Sequence, residues 1–78
     1  MIKLQILGSG CAKCATLALN ADVAARSLAL DYELEKVTDI NAIIDAGIMS
    51  TPALAVDGEV KSVGRVLSVA EIKQLLTA

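Results

Sequence analysis

Two cysteines, Cys11 and Cys14, stand where a strand-forming segment gives way to a helix-forming one. Residues 2–7 alternate apolar and polar side chains and then become apolar, which predicts a β-strand. A Gly-Ser-Gly break at residues 8–10 ends that strand. From Cys11 or Ala12 to about Ala29 the chain is rich in Ala and Leu, which predicts a helix. Its buried face is expected to carry Leu17, Ala21, Ala24 and Leu28.

Similar local signals divide the middle of the chain. Residues 30–37 alternate with a period of two and predict a second strand. Asp39 is a suitable N-cap for a short helix, and Gly47 is its natural end. After a loop at residues 50–52, a third strand is expected over residues 53–56. The apolar residues of the short helix are Ile40, Ile43 and Ile44.

The last third of the chain carries a hairpin signal and a capping box. The Asp-Gly pair at residues 57–58 is typical of a two-residue turn, so residues 59–63 should return antiparallel to the third strand. Ser68 and Glu71 form a capping box that opens a final helix. The apolar face of that helix carries Ile72, Leu75 and Leu76.

The predicted order is therefore β-α-β-α-β-β-α, which is an α/β fold. Because a helix connects them, the first two strands should be parallel and their crossover right-handed. The last two strands should form an antiparallel hairpin. No linker, internal repeat or low-complexity tract interrupts the chain. We therefore expect residues 1–78 to form one domain.

The composition argues against several classes of protein. Hydrophobic residues make up 55% of the chain, but Tyr32 is its one aromatic residue, so the core must be aliphatic. A net charge of −2 and the lack of aromatic stacking platforms argue against nucleic-acid binding. No apolar run approaches the roughly 20 residues that span a bilayer, and no signal peptide is evident. We expect a cytoplasmic protein, in which a cysteine pair is more often catalytic or metal-binding than structural.

The helix N-terminus gives the two cysteines different roles. The first N–H groups of a helix lack partners and the helix dipole is positive there, so a Cys11 thiolate would be stabilised and its pKa lowered. Cys11 is therefore the expected nucleophile, and the more covered Cys14 the resolving thiol. Gly10 leaves the backbone open to an approaching partner. Lys13 adds a nearby positive charge of modest effect.

Other interpretations of the pair remain open at this point. A structural disulfide would close too small a loop to restrain the unfolded chain much. A zinc site within one chain would need four ligands, and the sequence has no His and no third Cys. The pair could hold Cu(I), share a metal between two chains, or be inert and buried. A CxxC pair between a strand and a helix favours thiol chemistry over these alternatives.

Pro52, the one proline of the chain, stands at the entry to the third strand. In one interpretation it is a rigid loop terminator. In the other, a cis Thr51–Pro52 bond turns the backbone of Thr51 toward Cys11, where an extended peptide could pair with it while presenting its sulfur to the thiolate. Both Thr51 and Pro52 are therefore candidate substrate-binding residues.

These motifs together resemble the small redox-active disulfide proteins of prokaryotes, which are glutaredoxin-sized members of the thioredoxin superfamily. The resemblance covers essentially the whole chain. It implies a thioredoxin-like fold with a four-stranded mixed sheet flanked by helices. It also implies a nucleophilic Cys11, a resolving Cys14 and a cis Pro52 preceded by Thr51. The segments that carry it are Gly8-Ser9-Gly10-Cys11-Ala12-Lys13-Cys14, Thr51-Pro52-Ala53-Leu54-Ala55-Val56-Asp57-Gly58 and Val63-Gly64-Arg65.

Three functions follow as hypotheses. The first is a thiol–disulfide oxidoreductase that cycles between a dithiol and a Cys11–Cys14 disulfide and acts on protein or small disulfides, without a cofactor or metal. Its expected partners are a disulfide-containing protein and a reductase, and we expect it to act as a monomer. The second is a Cu(I) or zinc delivery module, although small copper carriers end on a strand and this chain ends on a capped helix. The third is a non-catalytic interaction domain.

Overall fold

The computed structural model describes residues 1–8 and 12–77. Its elements follow the predicted order, with four strands and three helices in the described residues. They are β1 (Ile2–Leu7), α1 (Ala12–Ser27), β2 (Tyr32–Val37), α2 (Ile40–Asp45), β3 (Ala53–Val56), β4 (Glu59–Val63) and α3 (Val69–Thr77). Among these described helices, none is both long enough and apolar enough to cross a membrane.

The strands form one mixed sheet in the order β2-β1-β3-β4. β1 pairs with β2 in parallel, while β3 pairs antiparallel with both β1 and β4. The turn between β3 and β4 has φ values of 52° at Asp57 and 84° at Gly58, as a type I′ hairpin turn requires. The predicted thioredoxin-like α/β fold, with its parallel first pair and its terminal hairpin, is therefore confirmed.

The end of α1 is the main correction to the predicted boundaries. The helix ends at Ser27 rather than near Ala29, and β2 begins at Tyr32 rather than at residue 30. Ala29 adopts a left-handed φ of 54°, and the next N–H, of Leu30, donates to the Ala25 carbonyl at 3.1 Å. This is a Schellman motif, which usually has glycine at the left-handed position. The sequence signal was missed because alanine occupies that position.

The short helix α2 has the ends that were predicted for it. Asp39 accepts a hydrogen bond from the backbone N–H of Asn41 at 3.0 Å, which caps the helix. Gly47 has a φ of 78°, and the N–H of Ile48 donates to the Ile43 carbonyl at 3.2 Å. The same Schellman geometry thus ends α1 and α2, but only α2 uses the glycine that makes it visible in a sequence.

The capping box of α3 is also formed as predicted. The backbone N–H of Ser68 donates to the Glu71 carboxylate at 3.1 Å, and the N–H of Glu71 donates to the Ser68 hydroxyl at 3.2 Å. These Ser68 groups, the backbone N–H above all, hold the pKa of Glu71 below its ordinary value. The guanidinium of Arg65, 3.0 Å from the Glu71 carboxylate, acts in the same direction.

The core is aliphatic, as predicted, and lies on both faces of the sheet. Successive strand residues point to opposite faces, so the α1 and α3 side receives one set of apolar residues and the α2 side another. Leu28 was expected in the buried face of α1 but is partly exposed, because the helix has ended before it. The first face buries Leu4, Ile6, Leu17, Leu54 and Ile72 with four alanines of α1. The second buries Leu7, Ile43, Ile48, Ala53 and Ala55.

Candidate active site

Cys14 lies in the first turn of α1 and is buried, with 5% of its surface exposed. It is covered because it lies on the buried side of the helix with Leu17 and Ala18, and its sulfur packs against Gly8 after β1. Lys13, one position earlier, is exposed. The predictions made for Cys11 and Gly10 lie outside the described residues. The described part of the site is therefore a covered thiol beside an exposed cationic side chain at the start of a helix.

Gly8, directly after β1, brings the sheet up to the Cys14 sulfur. Its N–H donates to the carbonyl of Val37 at 2.9 Å, which continues the β1–β2 ladder by one step. A β-carbon at position 8 would lie 2.3 Å from the Cys14 Sγ atom and 3.7 Å from the Thr51 Cβ atom. The end of β1, the first turn of α1 and the loop before β3 therefore converge at Gly8.

The Thr51–Pro52 peptide bond is cis. Pro52 is buried, whereas Thr51 is exposed. The carbonyl of Pro52 accepts a hydrogen bond from the N–H of Gly64 at 2.9 Å, so the loop is attached to the end of β4. Sequence reasoning placed Thr51 beside the cysteine pair, and the structure brings Thr51 and Cys14 together at Gly8. Whether Thr51 and Pro52 bind a substrate stays a prediction.

A small cavity of about 80 Å³ opens beside the thiol. Two of its residues, Lys36 and Thr38, were not singled out from the sequence. Lys36 pairs in register with Ile6, and strand alternation places it on the face of the sheet that packs against α1. The usable signal was that parallel strands end at the same edge of a sheet, so the end of β2 must lie near the end of β1. The lining residues are Ile6, Gly8, Cys14, Ala15, Lys36 and Thr38.

A larger, apolar cavity of about 250 Å³ adjoins the first, and Thr38 lines both. Three large apolar side chains are exposed here: Ile40 at 67%, Ile44 at 62% and Met49 at 97%. The sequence identified Ile40 and Ile44 as apolar helix residues but gave no indication that they face solvent. Only Ile43 of that helix is buried. We call this surface the α2 patch; its lining residues are Thr38, Ile40, Ile43, Ile44, Ile48, Met49 and Thr51.

Within residues 1–8 and 12–77, no group of three or more His, Cys, Asp or Glu side chains is placed to hold an ion. Some charged side chains of the described residues form ion pairs at the surface, such as Lys3 with Glu35 at 3.6 Å. The carboxylate of Glu35 has a lowered pKa because the Gln5 amide donates to it and Lys3 lies close by.

Comparison with known proteins gives similarities over almost the whole chain. Residues 2–77 match the family model described as the thioredoxin domain. A protein of Methanothermobacter thermautotrophicus named thioredoxin is 48% identical over 77 residues, which covers 99% of this chain and 100% of the relative. A thioredoxin of Methanocaldococcus jannaschii is 38% identical over 76 residues, which covers 97% of this chain and 87% of the relative.

Proposed function

Because the chain belongs to the thioredoxin family and is a thioredoxin-like oxidoreductase, we propose that it cycles between a dithiol and a Cys11–Cys14 disulfide while reducing disulfides in proteins. The observation that carries this proposal is the position of Cys14, covered from solvent in the first turn of α1 and packed against Gly8. A thiol so placed is sheltered from bulk reagents and suited to attack a sulfur bound next to it.

The proposed cycle has two exchange steps. The Cys11 thiolate attacks one sulfur of the partner disulfide, which forms a mixed disulfide and releases the other partner sulfur as a thiolate. Cys14 then gives up its proton and attacks the Cys11 sulfur, which forms the Cys11–Cys14 disulfide and releases the second partner sulfur. The partner gains two electrons and two protons in total. A reductase of the reducing cytoplasm, the expected compartment, returns the pair to the dithiol.

The start of α1 supports Cys11 as the attacking residue. The helix begins at Ala12, so Cys11 directly precedes it in the sequence. The unpaired N–H groups and the positive dipole end of a helix stabilise an anion at that position. No acidic residue lies in the first turn to oppose this effect, and Lys13 adds a positive charge. Cys14 is 5% exposed and therefore less accessible to a protein disulfide.

The first expected result is that Cys11 ionises to a thiolate at a pH well below that at which an ordinary thiol does. In a Cys14→Ser variant, iodoacetamide should half-label Cys11 at a pH between about 3.5 and 7.5, against about 8.5 for an ordinary thiol. The same variant in urea is the control, because unfolding removes the helix and should return half-labelling to about pH 8.5. Half-labelling near pH 8.5 in the folded protein would contradict the proposal.

The cycle itself is tested by equilibrating the protein in dithiothreitol redox buffers. We expect reversible loss of two hydrogens per chain by mass spectrometry, and no such loss in Cys11→Ser. The metal-delivery hypothesis predicts a different outcome. A chain that binds Cu(I) or zinc tightly and stoichiometrically in native mass spectrometry, without reversible disulfide formation, would favour metal delivery over thiol exchange.

The partner of this cycle is proposed to be a protein rather than a small disulfide. The α2 patch begins at Thr51, which stands beside the Cys14 site, and extends across exposed Ile44 and Met49. An extended segment paired with the Thr51 backbone would place its neighbouring apolar side chains on this patch. Exposed apolar side chains clustered beside a reactive site are typical of an interaction surface.

An Ile44→Ser variant tests this docking surface. Loss of one apolar contact should raise KM for reduction of insulin by roughly tenfold, because burying such a side chain contributes about 1.5–3 kcal/mol. Reduction of the small disulfide DTNB should be unchanged, since it does not reach the patch. Leu19→Ser is the matched control, because Leu19 is also 62% exposed but lies on α1. Equal insulin kinetics in Ile44→Ser and the unsubstituted protein would exclude the α2 patch as the docking surface.

A further inference from the structure

The glycine at position 8 is not explained by backbone conformation. Gly47, Gly58 and Gly64 have φ values of 78°, 84° and 72°, in the left-handed region that favours glycine. Gly8 lies outside that region, and its N–H makes an ordinary strand hydrogen bond to Val37. A positive φ is therefore not what requires glycine at this position. The reason for glycine must therefore lie in the space around it.

That space is taken by one atom. A β-carbon at position 8 would lie 2.3 Å from the Cys14 sulfur, far inside the roughly 3.5–4.0 Å of an optimal contact. Its next described neighbours, the β-carbons of Cys14 and Thr51, would lie at 3.5 Å and 3.7 Å, which are ordinary contacts. The missing side chain of Gly8 thus makes room for the Cys14 sulfur and for no other described group.

Neither side of this contact can move away easily. Gly8 follows Leu7, which is 5% exposed and pairs in register with both Val37 and Ala53. Cys14 is held by α1, whose next buried residue, Leu17, is fully covered. The least costly response to a β-carbon at position 8 is therefore a rotation of the Cys14 side chain, which moves its sulfur by about 3 Å between staggered wells.

We propose that Gly8 is a positioning residue for the resolving thiol: its lack of a side chain sets the rotamer in which the Cys14 sulfur attacks. This inference rests on the proposed dithiol–disulfide cycle. A disulfide requires narrow S–S and dihedral geometry, so a sulfur displaced by a rotamer change forms the bond poorly. Gly8 forms no bond to the partner in this scheme; it packs against the Cys14 sulfur and acts only by setting the position of that sulfur.

The functional test is Gly8→Ala. Its Cys11–Cys14 disulfide should be at least about tenfold less stable against dithiothreitol, a shift of about 30 mV in reduction potential for this two-electron couple. The mixed disulfide with a partner should persist longer by a similar factor. If the parent protein cycles reversibly and Gly8→Ala keeps its potential and its resolution rate, the Gly8 inference is wrong and the cycle stands. If the parent forms no exchangeable disulfide, the proposed function itself fails.

The steric cause is tested separately in the reduced protein. Gly8→Ala should lower the folded-to-unfolded ratio by about tenfold or more, as overpacking does. In a Cys14→Ala background, where the sulfur is absent, the same change should alter that ratio by less than about twofold. If Gly8→Ala fails to fold alone, recovery of folding in the double variant supports the inference. Equal losses in both backgrounds would overturn it.

Discussion

A Cys14→Ser variant is expected to accumulate as a stable mixed disulfide between Cys11 and its partner. In the proposed cycle, Cys14 resolves that bond as an intramolecular nucleophile, packed against Gly8 in the first turn of α1. Without it, resolution depends on an external thiol at low concentration. A well-placed intramolecular group has an effective molarity far above the concentration of such an external thiol. The adduct of the variant should therefore survive roughly a thousandfold longer, or more, than that of the unsubstituted protein. Non-reducing electrophoresis measures the lifetime of the mixed disulfide formed with insulin, and reduced insulin serves as the standard for the released product.

The matched control for the trap is Cys11→Ser, which leaves the covered Cys14 in place. Because Cys14 is 5% exposed, this variant should form little adduct with a protein disulfide. Applied to a cell extract, the Cys14→Ser trap would also capture the substrate and the reductase that the cycle requires. A Cys14→Ser adduct as short-lived as that of the unsubstituted protein would show that Cys14 is not the resolving thiol.

The second large effect concerns stability. Leu17→Ala should lower the free energy of unfolding by about 2–5 kcal/mol, the usual cost of a cavity at a fully buried leucine. Leu17 has no exposed surface and packs in the cluster that contains Leu4, Leu54 and Ile72. A chain of 78 residues is expected to have a total stability of roughly 4–12 kcal/mol, so this loss removes a large part of it. Urea unfolding of the reduced protein measures the change.

Leu19→Ala supplies the control on the same helix. Leu19 is 62% exposed, so its truncation should change the free energy of unfolding by no more than about 0.5 kcal/mol. Both variants replace leucine by alanine in the same helix, so the change in helix propensity is nearly equal at the two sites. Similar costs at both positions would mean that α1 is not packed against the sheet through Leu17.

The element order could be predicted because it depends on local signals. The cap at Asp39, the turn at residues 57–58 and the capping box at Ser68 each involve residues a few positions apart, and the structure forms all three. The prediction placed the end of α1 about two residues late because it too depended on a local signal, which is missing there. Its left-handed residue is Ala29, and the local signal for that conformation is normally glycine.

Sequence alone supplied the residue types of the candidate site: a cysteine pair before a helix, with a Thr-Pro segment entering a later strand. It could not determine which surfaces meet there. Thr51 and Lys36, which approach Gly8 and Cys14 at this site, are both more than 20 positions away from them in the chain. This arrangement arises only when β1 packs between β2 and β3. Apolar residues of a short helix look alike in sequence, so only packing decided that Ile43 is buried while Ile40 and Ile44 stay exposed beside the thiol site.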